Sequence, residues 1–467
     1  MKKTHNGLMM NRRSLLRGLA LTGGVSVFGG LDMMANLVDA YAKPTEPGQI
    51  PDRYYVFCYF SGGWDILLGL DPRDPSLFHN GNMATTKIQP GYELLTLPGS
   101  PLIGPRQDFR LGPFVGELMD PAVAEHLVVV RGMSMDTLTH EVGRRRFLTG
   151  KQPSGLLARG SSTDVWMASR LTRGEPLPNL SIRVESYNRD LPNSASAMRT
   201  NSAEDLLRVL SPGDVQLDDL QERQLDALLH DHSLCVQSQL SDVLQDAESA
   251  RKTVKAMLDG RIDKNFDFFA NTPEMSAIRD HFGLNVRDGG ASPEIQAAIA
   301  ATAITQRISR CVSIQVTSGL DTHFNNWITD QGVRQQRGFN AVARLAKYLK
   351  SRPYMNDPNN SDSWLDHTTI VGFSEFSRTP LLNAQEGRDH WLNNACFLIG
   401  GGVKGNRVIG KSSDAGMYPE KVNLLTGALD PDGEIIRPEH ILQALYEEVG
   451  ITHEPDLRVK ALRGLMK

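Results

Sequence analysis

Residues Tyr54–Phe60, YYVFCYF, form an unbroken apolar and aromatic run. A strand that is apolar on both sides has to be covered on both faces, and nothing here shows the alternation of a sheet with one wet face. Four more short runs have the same character: LVVVR at 127–131, CVSIQVT at 311–317, TTIVGF at 368–373 and ACFLI at 395–399. Between the third and fourth of these five runs, residues 336–350 place Phe339, Val342, Ala343, Ala346 and Leu349 on one side of a 3.6-residue period. Buried strands alternating with a helix predict an α/β fold, a three-layer α/β/α sandwich built on a mostly parallel sheet.

The rest of the chain elaborates that sheet. Residues 214–258 read as one or two long helices, with Leu217, Leu220, Leu225, Leu228 and Leu229 as the apolar side and Asp218, Asp219, Glu222 and Arg223 as a solvated face. They make a helical insert of about 203–262. Residues 153–201 are richer in Pro, Ser and Asn and read as loops over the sheet. No internal repeat is found, so 43–467 is expected to be a single domain. With 467 residues, 40% hydrophobic and 22% charged, the composition is that of a globular protein and excludes a collagen-like, coiled-coil or disordered chain. The net charge of −4 carries no block of one sign, so no nucleic-acid partner is expected. No run of 18 apolar residues is present, so no membrane span is expected.

The first 42 residues read as an address. Asn11-Arg12-Arg13-Ser14-Leu15-Leu16-Arg17 resembles the twin-arginine export motif, a Gly-rich apolar stretch follows at 18–38, and Ala40-Tyr41-Ala42 is an A-x-A cleavage site. The expected partner is the twin-arginine translocase and the expected location periplasmic or secreted. No cysteine near the cleavage site suggests a lipid anchor. Removing Lys2, Lys3, Arg12, Arg13 and Arg17 together with Asp32 and Asp39 leaves a mildly acidic mature chain. Cys58, Cys235, Cys311 and Cys396 are far apart, with no CxxC pair, and read as buried small hydrophobes.

In open α/β sheets the chemistry sits at the carboxyl ends of the strands. The first run ends at Asp65, the third at Asp321-Thr322-His323 and the fourth at Ser374-Glu375-Phe376-Ser377-Arg378, with Arg388-Asp389-His390-Trp391 soon after. Asp, Glu and His are ligands for zinc, manganese or magnesium. Each alone could cap a helix or pair with an arginine. Their common placement points to one shared site.

SGGWD at 61–65, LDTH at 320–323, SEFSRTP at 374–380, GRDHW at 387–391 and GGGVKGNRVIG at 400–410, behind a twin-arginine leader, resemble the bacterial domain-of-unknown-function 1501 family. That family in turn resembles the alkaline phosphatase and sulfatase superfamily. The resemblance implies two metals at the strand ends and hydrolysis or transfer of phosphate and sulfate esters. By position it implies Asp65 as the carboxylate after the first strand, Asp321 and His323 as the Asp/His pair of the first metal, Glu375 as the carboxylate after the next strand, and His390 as the late histidine with Asp389 as neighbour or ligand. The sequence departs from the pattern in three places. Only one residue separates Asp321 from His323, Phe376 stands where phosphatases have a second-metal histidine, and the sulfatase C-x-P-x-R run is missing. One divalent metal is therefore favoured over two: zinc first, with manganese, magnesium or calcium as alternatives.

The resemblance also implies a Ser or Thr nucleophile at the start of a helix after the second strand. Thr139 of Thr-His-Glu-Val-Gly is the candidate, with Ser134 and Thr137 behind it; a plain N-cap is the competing role. Arg378 could hold a phosphate or sulfate, or pair with Glu375 or Asp389. Trp64 and Trp391 could face a substrate, and packing of the loops is the favoured role. His126, His281, His367, His440 and His453 fit no pattern. Residues 405–412 match G-x-x-x-x-G-K-[ST], but Val408-Ile409 reads as a strand inside the motif and no helix follows, so a phosphate-binding loop is rejected. The expected function is an exported metal-dependent hydrolase of phosphate or sulfate esters, on a small-molecule or polysaccharide substrate. The alternative is a non-catalytic envelope or secreted binding protein with the same fold.

Overall fold

The computed structural model describes residues 50–213, 218–233, 241–451 and 455–467. The expected export segment, Cys235 and His453 lie outside the described residues. The chain separates into two compact units, a helical one within Glu204–Asp267 and an α/β one formed by Lys43–Ala203 and Phe268–Lys467.

The α/β unit is built on eight strands: β1 (Tyr54–Phe60), β2 (Leu127–Ser134), β3 (Asn179–Ile182), β4 (Met198–Thr200), β5 (Cys311–Thr317), β6 (Thr368–Phe373), β7 (Asn393–Gly400) and β8 (Arg407–Ile409). Their order across the sheet is β8-β2-β7-β6-β1-β5-β3-β4. Only β7 runs against the others; the remaining ladders are parallel. Every residue of β1, β6 and β7 is buried, which is why these segments show no polar alternation.

Helices cover both faces. On one face Tyr55, Phe57, Val130, Phe373 and Leu398 pack with α1 (His140–Thr149), α2 (Thr163–Leu171) and a C-terminal helix at Pro438–Glu448. Phe147 of α1 stacks on Phe373 with ring centroids 4.2 Å apart. On the other face lies the helix Gly332–Lys350, whose Phe339 sits 4.8 Å from Phe60 and 5.8 Å from Phe397. Each such buried ring contributes about 1.5–3 kcal/mol. The three-layer sandwich is thus present.

Two expectations need correcting. Residues 153–201 are not only loops: they supply α2, β3 and the edge strand β4. LSI and MRT are too short, among Pro, Ser and Asn, to show a period. The helical unit contains α3 (Asp219–Ser233) and α4 (Asp242–Asp259). Leu220 and Leu228 are 59% and 55% exposed rather than buried. At about 100° per residue, the leucines at 220, 225 and 228 fall within about 140° of one another and share a side of the helix, but that side is left open at Leu220 and Leu228. Leu217 lies outside the described residues. No helix among the described residues is long and apolar enough to cross a membrane.

Candidate metal centre

The site lies where β1, β2, β5 and β6 end, joined by the start of the antiparallel β7. After β1 the chain turns at Gly62-Gly63, with φ of +113° and +78°. A Cβ on Gly62 would lie 2.7 Å from the Leu320 nitrogen and 2.8 Å from that of Asp321, so the SGGWD turn lets the Asp321 loop close over it. The Gly62 N–H donates to Glu375 Oε1 at 2.9 Å, tying the ends of β1 and β6 together.

Asp321 is the centre. Its Oδ1 lies 2.9 Å from His323 Nε2, 3.2 Å from His390 Nε2 and 3.4 Å from His140 Nε2. His323 Nε2 and His390 Nε2 are 3.0 Å apart. Ligand atoms of His140, Asp321 and His390 all fall within 4.8 Å of one another. Each imidazole is held from behind through Nδ1: His140 by Glu375 Oε1 at 2.7 Å, His323 by Asp389 Oδ1 at 2.8 Å and His390 by the Leu138 carbonyl at 2.7 Å. An acceptor at Nδ1 assigns the proton there and leaves the Nε2 lone pair facing Asp321. This is the way histidines are oriented toward a metal. Three imidazole nitrogens and one carboxylate oxygen form a zinc-type donor set, so these residues fit a divalent ion.

Charge is arranged around this set. Burial would raise the Asp321 carboxyl, but the bond and charge of Arg378, the bond from His390 and the charge of His140 together outweigh it and hold the group well below the ordinary range. Burial lowers the His390 imidazole below the ordinary histidine value. Burial also opposes the charge of His140, yet its bond to Glu375 raises it above the ordinary histidine value. Phe376 closes one side, its ring centroid 4.7 Å from that of His140 and 4.2 Å from that of His390.

Among the residues expected from sequence, Asp321, His323 and His390 meet directly. Glu375 and Asp389 stand behind histidines. Asp65 is elsewhere: it is fully buried, accepts from Leu67 N–H at 2.9 Å and Trp327 Nε1 at 2.8 Å, and pairs with Arg388 Nε at 3.0 Å. Arg378 pairs with neither Glu375 nor Asp389. It bonds Asp321 Oδ1 at 2.6 Å, lies 3.4 Å from His323 Nε2 through Nη1, and points its other donors at the carbonyls of Gly62, Gly63 and Arg388. Thr139 is the N-cap residue of α1, exposed, with no side-chain capping bond. Ser134 is bonded to Asp136 and Thr137 accepts from the Thr139 N–H. Trp64 packs in the core and donates to Asn394 at 2.7 Å, and Trp391 packs on Tyr418.

His140 was missed. Its signal was in view, a histidine in the first turn of a helix that starts at the carboxyl edge, one residue past the favoured hydroxyl. The G-x-x-x-x-G-K-S segment holds β8 and no helix, and Ser412 caps Asp71 in the interior.

A family model described as a protein of unknown function, DUF1501, matches residues 62–428. No curated protein matches the chain. Similar solved structures include a protein in the alkaline phosphatase superfamily from Vibrio parahaemolyticus, at 10% identity, TM-score 0.36, covering 94% of this chain and 79% of that one. Ps i-CgsB, solved with k-i-k-neocarrahexaose, is similar at 9% identity and TM-score 0.33, over 89% of this chain and 75% of that one. A third comes from glycosaminoglycan metabolism in Bacteroides thetaiotaomicron, at 8% identity and TM-score 0.30, over 88% and 75%.

Proposed function

This chain belongs to the DUF1501 family, and we propose that it is a divalent-metal-dependent hydrolase of phosphate or sulfate esters. One observation carries the reading: three Nδ1-anchored imidazoles present Nε2 to a single carboxylate oxygen at the carboxyl edge of the sheet. His140, His323, His390 and Asp321 would hold the ion, zinc first. When bound, such an ion supplies positive charge that lowers the pKa of a nearby hydroxyl.

The hydroxyl is that of Thr139, between Leu138, whose carbonyl orients His390, and His140 itself. It sits at a helix N-terminus, which favours a developing anion. In this reading Thr139 Oγ1 attacks phosphorus or sulfur, the bond to the departing alcohol breaks, and water then releases the acid from Thr139. Arg378 acts by fixing Asp321 and His323, since its donors already face Asp321, His323 Nε2 and backbone carbonyls. Glu375 and Asp389 fix the rings of His140 and His323. The substrate is a small-molecule or polysaccharide ester.

The test is metal analysis of the purified mature chain with assays across phosphate and sulfate mono- and diesters. At least one ion per chain and hydrolysis of one ester class are expected. Metal-free, inactive protein would establish the second reading, a non-catalytic binding protein. That reading is favoured by Arg378, which already neutralises Asp321 from 2.6 Å without an ion.

Export by the twin-arginine route, to the periplasm or medium, is part of the proposal. Arg12 and Arg13 replaced together by Lys keep the charge and lose the planar guanidinium. Precursor should accumulate in the cytosol; unchanged export would refute the route.

A further inference from the structure

The geometry points to Asp65 as the positioning residue of the metal centre, setting the two loops that carry His323 and His390 without being a ligand. The inference rests on the metal-binding reading above and concerns how that site is held.

Asp65 follows the β1 turn and has no exposed surface. Both carboxylate oxygens are engaged. Oδ1 takes the Leu67 N–H, while Oδ2 takes Trp327 Nε1 at 2.8 Å and faces Arg388 Nε at 3.0 Å. The two partners lie on different loops. Trp327 comes four residues after His323 and begins a five-residue π-helical turn, Trp327–Gln331. Such turns are rare and concentrate at functional sites. At its end the Gln331 amide lies 2.7 Å from Thr322 Oγ1, between Asp321 and His323.

Arg388 comes two residues before His390. It is fully buried, and among the described residues Asp65 is the only carboxylate ion-paired with it. Its guanidinium donates to the carbonyls of Thr379, Gln89 and Pro90, and its backbone N–H donates to the Thr322 carbonyl at 3.1 Å. It also lies over the Trp327 ring, 4.6 Å from its centroid. Asp65 therefore touches both loops at once, through the indole of one and the guanidinium of the other. The Nε2–Nε2 spacing of 3.0 Å between His323 and His390 is set across those loops. Buried and facing Leu67, Trp327 and Arg388, Asp65 is not part of the cluster of His140, Asp321 and His390; a carboxylate that fixes ligand-bearing loops tunes affinity from outside.

The test compares wild type, Asp65→Asn and His390→Ala in the full mature chain by Zn2+ titration, Co2+ visible spectra and 15N signals of the histidine rings in metal-free protein. Asp65→Asn should keep the wild-type stoichiometry and Co2+ band pattern, bind about 10–100-fold more weakly, and shift the metal-free ring signals of His323 and His390. Loss of stoichiometric binding as in His390→Ala would make Asp65 a ligand and overturn the inference. A lowered melting temperature with affinity and ring signals unchanged would overturn it too, leaving Asp65 a role in folding alone. If wild type binds no ion, the metal-binding reading fails, and the ring signals of metal-free protein still decide the positioning role. Should Asp65→Asn not fold, Trp327→Phe, which keeps the ring over Arg388 but removes the indole donor, should shift the same ring signals; unchanged signals would refute the inference.

Discussion

Asp65 and Asp321 both follow parallel strands at the same edge of the sheet, yet their surroundings are opposite. Asp65 has a 1% exposed side chain, balanced by a buried arginine, with its oxygens held by donors that cannot leave. Asp321 is 48% exposed and is met by three imidazole nitrogens whose protons are held elsewhere. Position after a strand therefore does not identify a ligand. Both face a buried arginine; what separates the two is that Asp321 is half exposed and its Oδ1 is also met by imidazole nitrogens, whereas Asp65 is enclosed. Glu185 is an intermediate case, its side chain 23% exposed and bonded by two arginines of α1.

The sharpest way to break this contrast is truncation. Asp65→Ala leaves the Arg388 charge buried and unpaired, and a loss of about 3–5 kcal/mol is expected. Asp321→Ala in metal-free protein also takes the carboxylate from a buried arginine, but Asp321 itself is 48% exposed and water can reach the gap, so a smaller loss of about 1–3 kcal/mol is expected. Equal losses in urea unfolding would dissolve the distinction. His390→Ala tests the open region differently. Wild type at an ion concentration about 100 times Kd should gain about 2.7 kcal/mol over its metal-free form. The variant should show no such gain, and an undiminished gain would remove His390 from the ligand set.

Much of this was legible in the chain. The five buried runs and the helix after β5 followed from uninterrupted apolar segments and a helical period, while Asp321, His323 and His390 were singled out by their place near the carboxyl edge and by the family resemblance. The short strands β3 and β4 were not legible, because three or four residues cannot display a period. Nor was the direction of β7. Reversed, it sends Asn393 and Asn394 toward the site and Gly400 away, which no composition records. His140 was hidden by its neighbour, since a helix start draws attention to the capping hydroxyl. That Asp65 stands apart from the histidine cluster was not legible, because its partners Arg388 and Trp327 are remote in sequence.

Two further substitutions sharpen the contrast at smaller scale. Gly143 of α1 packs on β6's end, where a Cβ would lie 2.2 Å from the Glu375 carbonyl oxygen. Gly143→Ala should cost about 1–3 kcal/mol by overpacking and should weaken the His140–Glu375 bond, read as a shifted His140 ring 15N signal. A variant as stable as wild type would mean the helix moves freely there. For Glu185, burial would raise the carboxyl, but bonds from Arg144, Arg145 and Tyr187 bring it down to about 2 from 4.5. A depressed carboxylate contributes stability above its unfolded value and loses it as pH falls. Wild type should therefore lose on the order of 1–2 kcal/mol between about pH 4.5 and 2 that Glu185→Gln does not lose. Parallel acid profiles would place Glu185 with the exposed carboxylates.

The smallest stability effect is expected at Thr139, where a small effect is informative. A capping threonine replaced by Ala costs about 0.5–2 kcal/mol. Thr139 occupies the N-cap position with extended angles, φ −110° and ψ 128°, but its side chain makes no capping bond. Thr139→Ala should thus change unfolding free energy by less than about 0.5 kcal/mol. Metal content should stay at the wild-type level, because the ligands are its neighbours and not its hydroxyl. Ester hydrolysis should disappear, while Thr139→Ser, which restores a hydroxyl, should retain both folding and activity. A loss of 1–2 kcal/mol with activity preserved would return Thr139 to the role of a cap. Hydrolysis surviving at full stability would leave the nucleophile to be found among the other hydroxyls of the edge, where Ser134 is already bonded to Asp136 and Thr137 to the Thr139 backbone.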